Sequence, residues 1–170
     1  MTAFFTIVAI FQSFSISLGV GSSTLAIANF FAAIADGTID ATERRMMGIV
    51  YVVLRVAMLA ILGTTMLLLA PVVAYDGLLA LSPIAIGQCV AITVLFINAM
   101  LMTAHIVPST IGPGLQAGSW YTLGTLIALQ AQGVTEFTLL VFFLAYVSWL
   151  VLAVGIVNGV MAFLKSRKAA

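Results

Sequence analysis

Arg55 stands nine or ten residues inside an apolar run that begins near Met46, and no acidic residue lies within any other apolar run to neutralise it. An ionised guanidinium at mid-bilayer costs roughly 2.5–3.5 kcal/mol on insertion scales, so an intramembrane arginine is read first as part of a site. The five acids, Asp36, Asp40, Glu43, Asp76 and Glu136, all fall in the polar connections. The charge therefore needs carbonyls, amides, water, a lipid phosphate, another subunit or an anionic ligand. A second set of groups lies farther along. Asn98 and His105 are seven apart, hence on one helical face, with Met102 between them. His105 is the only histidine. It suits an interfacial hydrogen bond, a pH-responsive gate, or one axial position on a haem with Met102 or Met100 as a softer partner. A bis-histidine haem would need a second copy of the chain. Cys89 and His105 lie roughly 24 Å apart along one helix, so no metal is expected between them. The eight methionines are scattered and read as packing.

Composition fixes the setting. Charged residues are 6% of the chain and hydrophobic ones 64%, far from the quarter charged that a soluble surface needs. The apolar runs are continuous, which argues for membrane helices and against a transmembrane barrel. A net charge of +1 gives no reason to expect nucleic acid. One cysteine excludes an intrachain disulfide and a thiolate cluster. Residues Met1–Phe5 lack the positive segment of a secretory signal, and the apolar stretch outruns signal-peptide length.

Five runs emerge, over about 3–35, 46–75, 84–107, 115–131 and 136–164, and together form one transmembrane domain. Pro71 is expected to bend or loosen the outer end of the second. The fourth follows the breaker Gly112-Pro113-Gly114 and is short enough to be re-entrant. Arg44 and Arg45 sit in the first connection, and Lys165, Arg167 and Lys168 in the tail. Five spans put both clusters on one side, with the N-terminus out and the C-terminus in. Four spans would split them. Asp36 to Glu43 copies the second half of a calcium loop, but Ala32 and Ile34 cannot supply the earlier ligands. The simpler reading ends one helix at Gly37 and caps the next with Asp40 and Glu43. Small-residue stripes, Ser13, Ser17, Gly21, Thr24 and Ala28 in the first run and Ser148, Gly155, Gly159 and Ala162 in the last, suit close helix packing. Trp120 and Tyr121 suit an interfacial belt.

This threading puts polar groups at comparable depths. Arg55, Asn29, Asn98 and Asn158 fall in the cytoplasmic half of the bundle, with His105 at its mouth. They are expected to line a water-accessible pocket for an anion or small solute. The plainer alternative is that the asparagines glue helices and Arg55 snorkels. A protease dyad of Ser22 and His105 fails on depth, and Gly19-Val20-Gly21 lacks the strand that a phosphate loop needs. Ordinary catalysis has no obvious seat.

The stretch Leu18-Gly19-Val20-Gly21-Ser22-Ser23-Thr24, with Asp36-Gly37-Thr38-Ile39-Asp40 and Glu43-Arg44-Arg45, resembles the first hairpin of small uncharacterised bacterial polytopic membrane proteins. The resemblance covers about a quarter of the chain. It implies a bacterial inner-membrane protein and brings no activity. Where such proteins often carry an early histidine, this chain has Phe11-Gln12-Ser13. The expectation is an all-α bundle of five transmembrane helices in the lipid bilayer, as a homo-oligomer or a subunit of a larger membrane complex. Its leading function is a small channel or carrier. A haem- or quinone-binding electron-transfer subunit, with Arg55 on a propionate or carbonyl, is the alternative. A non-catalytic assembly subunit is the third.

Overall fold

The computed structural model describes residues 3–36, 40–108 and 110–169. Among these, the chain forms five α-helices and one 3-10 turn, with no strand. They are α1 (Ala3–Asp36), α2 (Ala41–Asp76), α3 (Pro83–Thr103), α4 (Gly112–Ala131) and α5 (Leu139–Ala169), with Leu78–Ala80 linking α2 to α3. Four of them, α1, α2, α3 and α5, are long and apolar enough to cross a membrane. The chain is an all-helical protein suited to the bilayer. Gly37, expected to end the first helix, lies outside the described residues.

Local chemistry explains the helix ends. The Glu43 amide donates to Asp40 Oδ1 at 2.7 Å and the Asp40 amide to Glu43 Oε2 at 3.1 Å, a reciprocal capping box. This cap starts α2 at Ala41, ahead of the apolar run at Met46. The helix then runs through Pro71 to Asp76. Gly112-Pro113-Gly114 does not break the chain before α4; it is the first turn, with proline at a position whose amide would lack an intrahelical acceptor anyway. The α3 helix closes earlier than hydropathy suggests. His105 takes a φ of 56°, and the amides of Ile106 and His105 donate back to Leu101 and Met102. That is a Schellman finish, with histidine where glycine is usual. The end of α4 repeats it with Gly133, whose φ is 77°.

α1 and α2 form a long antiparallel hairpin. Gln12 donates to Thr65 at 2.8 Å in a buried contact, and the two residues stand equally far from the connecting turn. The α1–α2 turn, the α3–α4 connection and the C-terminal end of α5 share one end of the bundle. Arg44, Arg45, Lys165 and Arg167 therefore gather at that end.

The helix without a stretch apolar enough to cross a membrane holds the centre. α4 packs on α1, α3 and α5, and its buried residues include Gly112, Gly114, Ala117, Gly118 and Ser119. A helix screened from lipid needs small side chains for close approach more than it needs hydropathy. A Cβ at Gly114 would lie 2.7 Å from the Val154 Cα of α5, and one at Gly118 2.8 Å from Leu150. Trp120 is 0% exposed, so it belongs to the core and not to an interfacial belt. Its ring covers Gly19, where an added Cβ would sit 2.2 Å from a ring carbon. Tyr121 is half-buried, with its hydroxyl 2.7 Å from that of Thr24.

The small-residue stripes face the other way. Ser17, Gly21, Thr24 and Ala28 on α1, and Ser148, Gly155, Gly159 and Ala162 on α5, are exposed. Gly19 and Gly21 therefore make a paired test. Gly19→Leu should destabilise the protein in detergent by about 1–3 kcal/mol through overpacking against Trp120. Gly21→Leu should stay within about 0.5 kcal/mol of the parent. Equal unfolding midpoints for the two variants would contradict this packing.

Candidate functional site

Each polar group proposed to line a pocket has a definite location. Asn98 is 3% exposed and faces α4. Its Nδ2 donates to the Gly112 carbonyl at 3.0 Å and to Gln116 Oε1 at 2.9 Å, and lies 3.4 Å from the Met102 sulfur. Asn98 Oδ1 has no hydrogen-bond partner among the described residues. Gln116 in turn points its Nε2 at the Met58 sulfur, 3.7 Å away on α2. This buried amide pair joins α3 to α4 and touches α2. Gln116 went unremarked in the sequence, although an amide one turn into a helix of small residues is the same signal that singled out Asn98.

Asn158 ties α5 to the α3–α4 connection. Its Nδ2 donates to the Thr110 carbonyl at 2.7 Å and to the Val154 carbonyl of its own helix at 2.9 Å. Asn29 is half-buried on α1. The Gln12–Thr65 register sets it near Gly48, about 10 Å closer than Arg55 to the start of α2. His105 is exposed on the connection as the terminating residue of α3. Met102 turns inward against Gly112, where an added Cβ would meet it at 2.8 Å. Met102 and His105 thus point apart, and neither lines the two grooves described below. Asn98, Gln116 and Met102 are brought together; Asn29, Asn158 and His105 stand apart from them.

Arg55 belongs to a different place. It is exposed, with no carboxylate and no hydrogen-bond partner among the described residues. It lines a groove of about 480 Å³ between α2 and α3, two helices that touch over only a short stretch. The other walls are Met58, Leu59, Phe96, Ala99, Met100, Thr103 and Ala104. The helices run antiparallel, so the groove has a direction. Arg55, Thr103 and Ala104 form its end near the α3–α4 connection, and Leu59 and Phe96 the end toward mid-bundle. Met58 separates Arg55's groove from the Asn98–Gln116 pair behind it. The guanidinium and the buried amides share a depth but occupy opposite sides of this methionine.

A second groove, of about 510 Å³, opens between α4 and α5 where they diverge from their glycine contacts. Tyr121, Phe137, Phe142, Tyr146 and Trp149 line it, and no charged group does. Its polar atoms are engaged: Tyr146 meets Ser119 at 2.9 Å, and Trp149 donates to the Gly118 carbonyl at 3.0 Å. The bundle centre itself is filled by Ile61, Leu95, Trp120 and Leu123, each fully buried. Among the described residues, no three His, Cys, Asp or Glu side chains lie close enough to hold a metal ion.

The role of His105 can be separated from any ligand role by substitution. His105→Gly should match or raise stability by up to about 1 kcal/mol, since glycine takes the left-handed conformation freely. His105→Val should lower it by about 1–2 kcal/mol. A harmless valine, read by thermal unfolding in detergent, would mean that the helix end does not depend on this conformation.

No family model matches the chain, and neither a curated protein nor a solved structure does.

Proposed function

We propose that this chain is a five-span bacterial inner-membrane protein, N-terminus out and C-terminus in, that acts as a carrier for an anionic solute. In this reading the α2–α3 groove is the seat, open toward the cytoplasmic side, and Arg55 is the attracting charge. One observation supports it above the rest: a solitary exposed guanidinium at the end of an apolar groove between two helices that scarcely touch. Such a pair can widen at its Arg55 end while Ile61 and Leu95 stay packed at the bundle centre, because regions with few buried contacts open at low cost. The filled bundle centre favours a carrier over a fixed pore through one subunit. The fifth span is α4, whose 20 residues cover about 30 Å, the thickness of a bilayer core. Basic residues gathered at one end support the orientation.

The direct measurement is anion flux in liposomes loaded with a halide- or phosphate-responsive dye. Wild-type protein should carry flux, Arg55→Lys should retain most of it, and Arg55→Gln should lose it by about tenfold or more, as befits loss of a charge that enters the site desolvated. Equal flux from Arg55→Gln would remove the carrier reading.

Assembly of several copies is supported by a separate observation, the outward-facing glycines and serines of α1 and α5. In a Cys89→Ser background, single cysteines at Thr110 and Thr135, which flank α4, should react with impermeant reagents from opposite faces of the membrane. A cysteine at Gly155 should cross-link between copies. Labelling of both sites from one face would refute five spans, and an uncross-linkable Gly155 position would refute pairing through α5.

A further inference from the structure

The geometry points to the occupant of the α2–α3 groove: one membrane phospholipid with an anionic headgroup, its phosphate at Arg55 and an acyl chain lying along Leu59, Phe96 and Met100. The inference rests on the seat and orientation proposed above and names the class of molecule that fits them.

The groove is polar at one end and apolar along the rest. Its two walls run antiparallel, so Arg55 meets Thr103 and Ala104 at the end near the basic side. Met58 and Leu59 face Phe96, Ala99 and Met100 farther in. A lipid of the leaflet on that side has the same layout, headgroup toward water and chain toward mid-bilayer. Arginine also leans the right way. Helical side chains tilt toward the N-terminus, which for α2 is the end carrying Arg44 and Arg45. The guanidinium therefore snorkels toward headgroup level.

The protein itself offers Arg55 little. Asp40 and Glu43 lie about three to four helical turns away along α2, and Asp76 and Glu136 belong to the opposite end. The nearest helix terminus is that of α3, whose carbonyls would suit a cation. Its Schellman finish already engages three of them. Met100 O accepts from the Ala104 amide, Leu101 O from Ile106 and Met102 O from His105. The Thr103 hydroxyl donates to the Ala99 carbonyl at 2.8 Å. A phosphate, with several acceptor oxygens and a full charge, matches the planar donor fork of arginine. The lateral opening and apolar walls argue for a lipid phosphate. A lipid would also cover Leu59, Phe96 and Met100, the apolar wall that a free anion leaves bare.

Purified protein exchanged into nanodiscs of equal phosphatidylglycerol and phosphatidylcholine, followed by native mass spectrometry of the lipid retained, tests this. Wild type should keep phosphatidylglycerol in preference, and Arg55→Lys should do the same. Arg55→Gln should reduce that preference about fivefold, the worth of one basic residue against an anionic leaflet. Ala99→Phe, which fills the groove and leaves the charge, should lose the retained lipid. Ala145→Phe, in the α4–α5 groove, should change nothing. Helical circular dichroism and a monodisperse profile qualify each variant. Equal retention of the two lipids by wild type, or unchanged preference in Arg55→Gln, would overturn the assignment. Displacement of the lipid by millimolar inorganic phosphate, with Ala99→Phe indifferent, would also overturn it and would leave the carrier reading standing. Retained phosphatidylglycerol beside unaltered flux in Arg55→Gln would uphold the lipid seat and remove the carrier.

Discussion

The indole of Trp120 rests on bare backbone at Gly19, and the rest of the bundle is arranged around that approach. It sets the separation of α1 from α4 at a place where a single methyl group would collide. α4 then receives α3 through Gly112 against Met102, and α5 through Gly114 and Gly118. Three sides of the central helix are thereby taken. α2 meets it at the Gln116–Met58 contact and is held chiefly by α1. The open groove between α2 and α3 is the remainder of this arrangement. The one exposed intramembrane charge lies where the packing leaves off.

Polar side chains inside the bundle follow a common rule. Gln12 with Thr65, Gln88 with Gln130, Asn98 with Gln116 and Ser119 with Tyr146 each join two helices. In a solvent that offers no hydrogen bonds, such pairs are worth about 0.6 kcal/mol on average, enough to fix rotation and register but not to drive association. Arg55 stands outside this pattern, with no hydrogen-bond partner among the described residues. Its difference from Asn98 is one of setting: the amide nitrogen is held by protein, and the guanidinium is turned toward what surrounds it.

Much of this was legible in the sequence along the helix axis and little of it around the axis. Continuous apolar runs located α1, α2, α3 and α5, and Asp40 with Glu43 announced the start of α2 before the hydropathy did. Depth could be counted in residues. Azimuth could not, because helices apolar on every face carry no amphipathic stripe to orient them. Asn98 and Arg55 were accordingly grouped by depth although Met58 stands between them. The same blindness turned Trp120 into a belt residue and left open whether the stripes pack within one subunit or between copies; Gly19, not Gly21, is the glycine buried inside. Gly112-Pro113-Gly114 was ambiguous for another reason: proline serves equally as a breaker and as the first residue of a helix. His105 suggested chemistry because the residue type is versatile; its left-handed backbone has no signature in the sequence.

The modest hydropathy of α4 has a consequence for how the protein is made. A helix opening with three small residues and an amide, Gly112, Gly114, Ala117 and Gln116, gains little from lipid tails on its own. Its place in the bundle depends on neighbours that arrive at different times, α1 and α3 before it and α5 after. A nascent chain halted near Ala131 would present Gly114 and Gly118 to lipid in place of α5, with no side chain to fill the gap. Synthesis of α5 is therefore the step that completes the packing of α4, and the last helix to emerge secures the one at the centre.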